Sequence, residues 1–322
     1  MAGTGDGREP VMADDRHARV LDELHFALAE ADAAEVAGSV RSRVMSRALA
    51  GRPAGFASTA SPHASGRFVF VSAVGQLDAL LAALSEADWR RTTIRGLDVQ
   101  GLVGHLIGVE AAFAAAAEGL CDAAAHADHV ASTQPEAAAQ RGLAPEETLE
   151  RWRGEVSRTL RALDRPGTER SIRGFYGISL PLDPLLVIRA FELWIHGEDI
   201  RRATGRSPAR PDAAALDRMT DLAVSLLPSG LAGAGIRGRA DQVRLVLTGP
   251  GGGTWIVPLD GSAPSRPNGG GDRQGARVVV DAADFCRVVG NRAGVDGVET
   301  DVAGDRALVA DLFEGASALA LD

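Results

Sequence analysis

Glu192 and His196 stand four residues apart in the segment Phe191-Glu192-Leu193-Trp194-Ile195-His196-Gly197-Glu198-Asp199-Ile200. On a helix that spacing puts both side chains on one face, a turn apart, near enough to hold one ion together. A further histidine, His105, lies in the apolar run Leu102-Val103-Gly104-His105-Leu106, whose helical periodicity turns it toward a core. Two imidazoles and one carboxylate leave coordination positions open, as a catalytic divalent ion requires. The donor set suits Zn²⁺ first, and also Ni²⁺, Mn²⁺ or Fe²⁺; the same triad serves non-heme iron oxygenases. Spacing alone leaves a second reading open, a solvent-facing Glu/His pair and a core histidine satisfied by a carbonyl. The order Glu-x-x-x-His differs from the His-Glu-x-x-His motif of zinc proteases, so proteolysis gets no support.

Other polar residues qualify this picture. Asp199, three residues after His196, is spaced to hold the imidazole through its second nitrogen, or else is a surface acid at a helix C-terminus. Arg292, in Gly290-Asn291-Arg292-Ala293-Gly294, sits in a turn, where its fork suits clamping a carboxylate, with Arg287 and Arg239 as rivals. His126 and His129, in Cys121-Asp122-Ala123-Ala124-Ala125-His126-Ala127-Asp128-His129, read as an exposed interhelical loop. Cys121 and Cys286 fall in helical stretches without a nucleophile's partner and read as small buried hydrophobes. Gly249-Pro250-Gly251-Gly252-Gly253 lacks the Lys of a phosphate loop and reads as a hairpin turn.

The elements that must position these residues are mostly helices. Phe70 to Trp89 shows a helical stripe, and Asp98 opens a second helix that runs to about Gly119. Pro145-Glu146-Glu147 starts a third, through Leu163. Asp183-Pro184 caps a fourth, from Pro184 to Thr204, ending at Gly205 in a left-handed position. Four helices of this length predict a four-helix bundle over 67–206. A further helical run, Pro211 to Leu227, leads to alternating strands about Val243-Leu247 and Trp255-Leu259, a strand Ala276–Val280, a helix capped by Asp281 and a last helix capped by Asp305. That mixture predicts a smaller α+β domain over 207–322. Residues 1–66 read as a disordered tail, two short helices and a linker from Ala54 to Gly66.

Length and composition set the outer bounds. A chain of 322 residues with 45% hydrophobic and 24% charged residues has material for about two packed domains. The net charge of −9 argues against nucleic acid as a partner. All 34 basic residues are Arg, so no lysine is available for catalysis. Two cysteines, no apolar stretch near about 18 residues, and charges at Asp6, Arg8 and Glu9 predict a cytoplasmic protein with no membrane span.

Two segments carry a family resemblance: Asp98-Val99-Gln100-Gly101-Leu102-Val103-Gly104-His105-Leu106, and the more specific Arg189-Ala190-Phe191-Glu192-Leu193-Trp194-Ile195-His196-Gly197-Glu198-Asp199-Ile200-Arg201-Arg202-Ala203-Thr204-Gly205. They resemble the metal-site helices of the mycothiol-dependent maleylpyruvate isomerase family, within the DinB-like superfamily. The resemblance covers about residues 70–322 and implies a DinB-like bundle followed by a sterol-carrier-like α+β domain. It places the metal ligands on His105, Glu192 and His196, and sends an arginine of the C-terminal domain, here Arg292, toward the metal cleft. Members usually open the first of these helices on Trp-Thr, whereas this chain reads Gly96-Leu97-Asp98. The implied function is a metal-dependent enzyme that activates the thiol of mycothiol against an electrophilic small molecule, as an S-transferase or a cis-trans isomerase. The alternative is a metal-bearing regulatory protein whose N-terminal helices dock a protein partner; as a null, those helices cap the bundle.

Overall fold

The computed structural model describes residues 64–120, 128–165, 168, 172–176, 178–267 and 275–320, which fall within one compact unit, Leu49–Asp322. The tail, helices and linker expected over 1–63, with their docking or capping role, lie outside the described residues, as do His126 and Cys121.

Six helices of the described residues make the first part. α1 (Gly66–Ala82) ends early: the stripe from Phe70 to Trp89 predicts one helix, yet the chain restarts as the single-turn α2 (Glu86–Trp89). The cause is local, since Ser85 and Asp88 form a reciprocal capping box that satisfies the free N–H groups of a new start. α3 (Val99–Glu118) opens as expected on Asp98, whose carboxylate accepts from the Gly101 N–H at 2.7 Å. α4 (His129–Gln140) is a helix where the sequence predicts a loop. α5 (Pro145–Leu163) follows with its proline in the first turn.

A short antiparallel hairpin that the sequence reading missed, β1 (Ile172–Phe175) with β2 (Ile178–Pro181), then leads into α6 (Leu182–Ala203). Asp183 does not cap α6 from outside. It lies in the first turn and accepts from the Gly66 N–H and from Arg218, tying the starts of α1 and α6 together. At the far end Gly205 has a φ of 68°, the left-handed conformation its position demands.

In the bundle α1 packs on α6, and α3 on both α5 and α6, around Phe70, Leu102, Phe113, Trp152 and Leu186, all fully buried. α3 is long and apolar enough to cross a membrane by length and composition, although His105 and Glu110 interrupt its apolar run. Most of it is buried inside the protein, so its apolarity is that of a central core helix.

The second part begins with α7 (Ala213–Gly233), which continues past the predicted stop at Leu227 and through Pro228. Its four-stranded sheet has the order β4-β3-β5-β6. β3 (Gln242–Thr248) and β4 (Gly253–Pro258) form the predicted hairpin, with Leu245 opposite Trp255. β5 (Ala276–Asp281) runs parallel to β3, and the unpredicted β6 (Thr300–Gly304) closes the edge. α8 (Ala282–Val289) and α9 (Arg306–Ser317) start on Asp281 and Asp305, as their caps predict. α7 packs on α6 and α1 on one side and on α8 and α9 on the other. The architecture is thus a helical bundle followed by an α+β part, and one continuous core runs through both.

Candidate metal centre

His105 occupies the middle of α3 with a glycine on either side at helical spacing. A Cβ on Gly104 would lie 2.8 Å from Ala137 Cα, and one on Gly108 3.0 Å from Thr133 Cγ2. Only glycine lets the backbone of α4 come this close. The approach sets Thr133 Oγ1 2.6 Å from His105 Nδ1. The Thr133 hydroxyl has one proton, which it donates to the carbonyl of His129 at 2.9 Å or of Val130 at 3.1 Å. Its oxygen must therefore accept from His105 Nδ1–H, which assigns the lone pair to Nε2. That Nε2 faces Glu192 Oε1 at 3.6 Å. Both atoms are buried with no hydrogen-bond partner.

Glu192 is held from behind. Arg189, with its side chain fully buried, donates to Glu192 Oε2 and, at 3.0 Å, to Glu110 Oε2, while Thr159 donates to Glu110 Oε1 at 2.5 Å. Burial pushes the Glu192 carboxyl up, but the Arg189 charge and contact with His105 outweigh it and hold the carboxyl at about 2. Burial also dominates at His105, which is held below the ordinary histidine value despite the neighbouring carboxylate. At neutral pH the pair is an anion facing a neutral imidazole.

His196 lies one turn along α6 from Glu192, fully buried, with its ring 5.4 Å from that of His105. Its Nδ1 is 3.1 Å from Asp199 Oδ2, so of the two sequence readings of Asp199 the geometry supports the imidazole holder. Arg292 clamps Asp199 in turn: Nε reaches Oδ1 at 2.9 Å and Nη2 reaches Oδ2 at 2.9 Å, with the guanidinium also donating to the Gly290 carbonyl. Burial pushes Asp199 up, and His196 and Arg292 together bring it below the usual carboxylate range. The sequence offered Arg292 as a clamp for a substrate anion; the structure puts its fork on a carboxylate of the protein. Its rivals are engaged too, Arg287 with Asp284 and Glu198, Arg239 with Asp311.

This chain from Arg292 through Asp199 to His196 yields a prediction. Arg292→Ala is expected to weaken metal affinity about 10- to 100-fold, the usual cost of losing an outer partner of a ligand histidine, with the fold retained. Chelator competition followed by circular dichroism checks it. Unchanged metal affinity with a raised KM for an anionic substrate would instead restore Arg292 to the substrate.

His129 overturns its sequence reading. It is no exposed loop residue: it begins α4, is 4% exposed, and its ring lies 5.5 Å from His105 and 5.2 Å from Tyr176. One donor atom each from His105, His129 and Glu192 lie within 4.8 Å of one another. The signals available were Asp128 as an N-cap and the Gly104/Gly108 pair as a docking stripe. Pro135 and the sparse apolar content of 129–140 hid the helix. Cys286 is a free, fully buried thiol that burial pushes far up, matching its reading as an inert hydrophobe.

The residues fit a divalent ion. A carboxylate and a neutral imidazole present facing acceptors with no proton between them, and a second imidazole has its Nδ1 held by a carboxylate. A divalent cation satisfies such a set.

Comparison with curated protein sequences finds no match. The family model of the mycothiol maleylpyruvate isomerase N-terminal domain matches residues 70–201. Two solved structures share the fold: the crystal structure of the mycothiol-dependent maleylpyruvate isomerase and that of a histidine-to-alanine mutant of it. Each has a TM-score of 0.50 and 15% identity, covering 73% of this chain and 92% of that chain. The matched segment carries His105, Glu110, His129, Arg189, Glu192 and His196, and through it residues 70–201 of this chain are similar to the mycothiol maleylpyruvate isomerase N-terminal domain.

Proposed function

We propose that this protein is a metal-dependent enzyme that uses mycothiol as thiol cofactor and attacks an electrophilic small molecule, with His105, Glu192 and His196 holding the ion and zinc as the first choice. The supporting observation is the pair of buried acceptors, His105 Nε2 and Glu192 Oε1, facing each other at 3.6 Å with no hydrogen-bond partner. A divalent ion there supplies the charge that keeps a thiol deprotonated at neutral pH, where a free thiol of pKa about 8.5 is mostly protonated.

The rest is the work of the chain. Thr133 fixes the His105 tautomer, Asp199 orients His196, and Arg189 keeps Glu192 ionised and aimed inward. A cleft opens beside Glu192 and His196, lined by α6, α7 and the end of α8. Its apolar walls exclude water from the thiolate and its target. Addition of the thiolate to a cis double bond, rotation and departure make an isomerase; retention of the adduct makes an S-transferase, which the breadth of chemistry expected of such a site favours.

Incubation with mycothiol and a panel of electrophiles, followed by mass spectrometry and elemental analysis, tests this reading. About one metal per chain and either a mycothiol adduct or an isomerised product are expected. No adduct, no isomerisation and no calorimetric binding of mycothiol would end it.

A further inference from the structure

The cleft beside Glu192 and His196 has a volume of about 110 Å³ and opens to solvent at its mouth. Its walls are aliphatic and aromatic: Ile188, Phe191 and Ile195 from α6, Met219 and Leu222 from α7, and Val289 at the end of α8. Among the described residues that line it, the ionisable side chains are Glu192 and His196 alone. No arginine is among those lining residues. The nearest candidates for an anion clamp are turned to carboxylates of the protein, Arg292 to Asp199 and Arg287 to Asp284 and Glu198. Arg189 is likewise committed to Glu110 and Glu192.

The charge balance carries the argument further. A dication countered by Glu192 and by one thiolate has no net positive charge left over. A dicarboxylate such as maleylpyruvate, the compound named with the related solved enzyme, would then bring its anionic groups against hydrocarbon with no counter-ion among the described lining residues, which disfavours it. A neutral apolar molecule meets no such penalty and gains by covering the cleft walls.

We infer that the cleft takes a neutral, largely apolar small molecule, and that the electrophile of this protein belongs to that class rather than to the dicarboxylates. The second half rests on the thiol chemistry proposed above; the first does not. Leu222 and Phe191 are partly buried, packed against the core and lining the cleft.

The test separates the two. The full-length protein is titrated with N-phenyl-1-naphthylamine, a neutral apolar dye, read by fluorescence. Saturable binding at one site per chain is expected, displaced by 1-octanol and unaffected by maleate at the same concentration. Leu222→Asp should weaken the dye at least about tenfold, Leu222→Ser by less, and Leu222→Arg should let maleate compete where it did not before. Circular dichroism confirms that each variant is folded. Absent or non-saturable binding, equal dye affinity in all folded variants, or displacement by maleate from the unaltered protein overturns the assignment. Dye binding with no mycothiol chemistry on any electrophile leaves this site standing and removes the enzyme reading. Faster mycothiol reaction with a dicarboxylate than with a neutral enone overturns the class assigned to the electrophile and leaves the enzyme reading standing.

Discussion

Replacing His105 with alanine is expected to leave the purified protein with less than about a tenth of a metal ion per chain, and His196→Ala to do the same. Each removes a donor outright, which costs more than the 10- to 100-fold typical of losing an outer partner. Elemental analysis and a Co²⁺ absorption spectrum provide the readout, and activity with mycothiol should fall with metal content. A metal content of one ion per chain in both variants would dismiss the assignment and direct attention to His129, which offers a nitrogen to the same cluster. The pH dependence follows from the two shifts. His105 lies below the ordinary histidine value of 6.5 and Glu192 at about 2, so both remain in their metal-binding form as pH falls past 6.5. Metal release should therefore have its midpoint below that value. The sign for the metal-free protein is opposite in effect. Below pH 6.5 the unfolded chain takes up a proton that buried His105 refuses, so the apoprotein loses stability in that range.

The second large effect is structural. Among the described residues Arg189 is the cation between Glu110 and Glu192, with Arg189 and Glu110 fully buried and the Glu192 side chain 11% exposed, and in the metal-free protein Arg189→Met leaves both carboxylates without their counter-charge. A loss of about 3–5 kcal/mol is expected, a fall in Tm on the order of 10 °C for a protein of this size. The pH dependence is diagnostic. In the unaltered protein the contribution of Glu192 is complete above its ordinary value of 4.5 and is lost as pH falls through about 2. In the variant the carboxyl has no cation to depress it, so the two proteins should converge in stability as pH drops from 4.5 toward 2. Adding Glu110→Gln should recover part of the loss at neutral pH, because one stranded charge is gone. Equal melting temperatures at neutral pH would show that Arg189 contributes nothing to the cluster.

Both predictions rest on residues that differ in how legible they were. Glu192 and His196 could be read together because a helix repeats every 3.6 residues and local spacing alone puts them on one face. The bundle helices were legible for the same reason, and their ends were marked by Asp98, Pro145, Gly205, Asp281 and Asp305, whose chemistry acts within a turn of chain. What failed at the sequence level failed where a local signal was weak or contradictory. Ser85 split a continuous apolar stripe, Pro135 disguised α4, and the short, half-exposed β1, β2 and β6 have too few alternating residues to announce themselves.

By itself, then, the sequence determined the helical periodicity, the caps and the i,i+4 ligand pair, since each depends on neighbours within about four residues. Only the tertiary structure decided the rest. His105 reaches Glu192 because α3 packs on α6; Thr133 and His129 reach His105 because two glycines admit α4; Arg292, 93 residues from Asp199, meets it because the α+β part folds back on the bundle. The same fold gave Arg292 a carboxylate of the protein to clamp and, among the described residues, put no cation in the cleft walls. An arginine's type says that it can bind an anion; which anion it binds depends on which charges the packed chain brings within about 3 Å, and that distance is set across the fold and not along it.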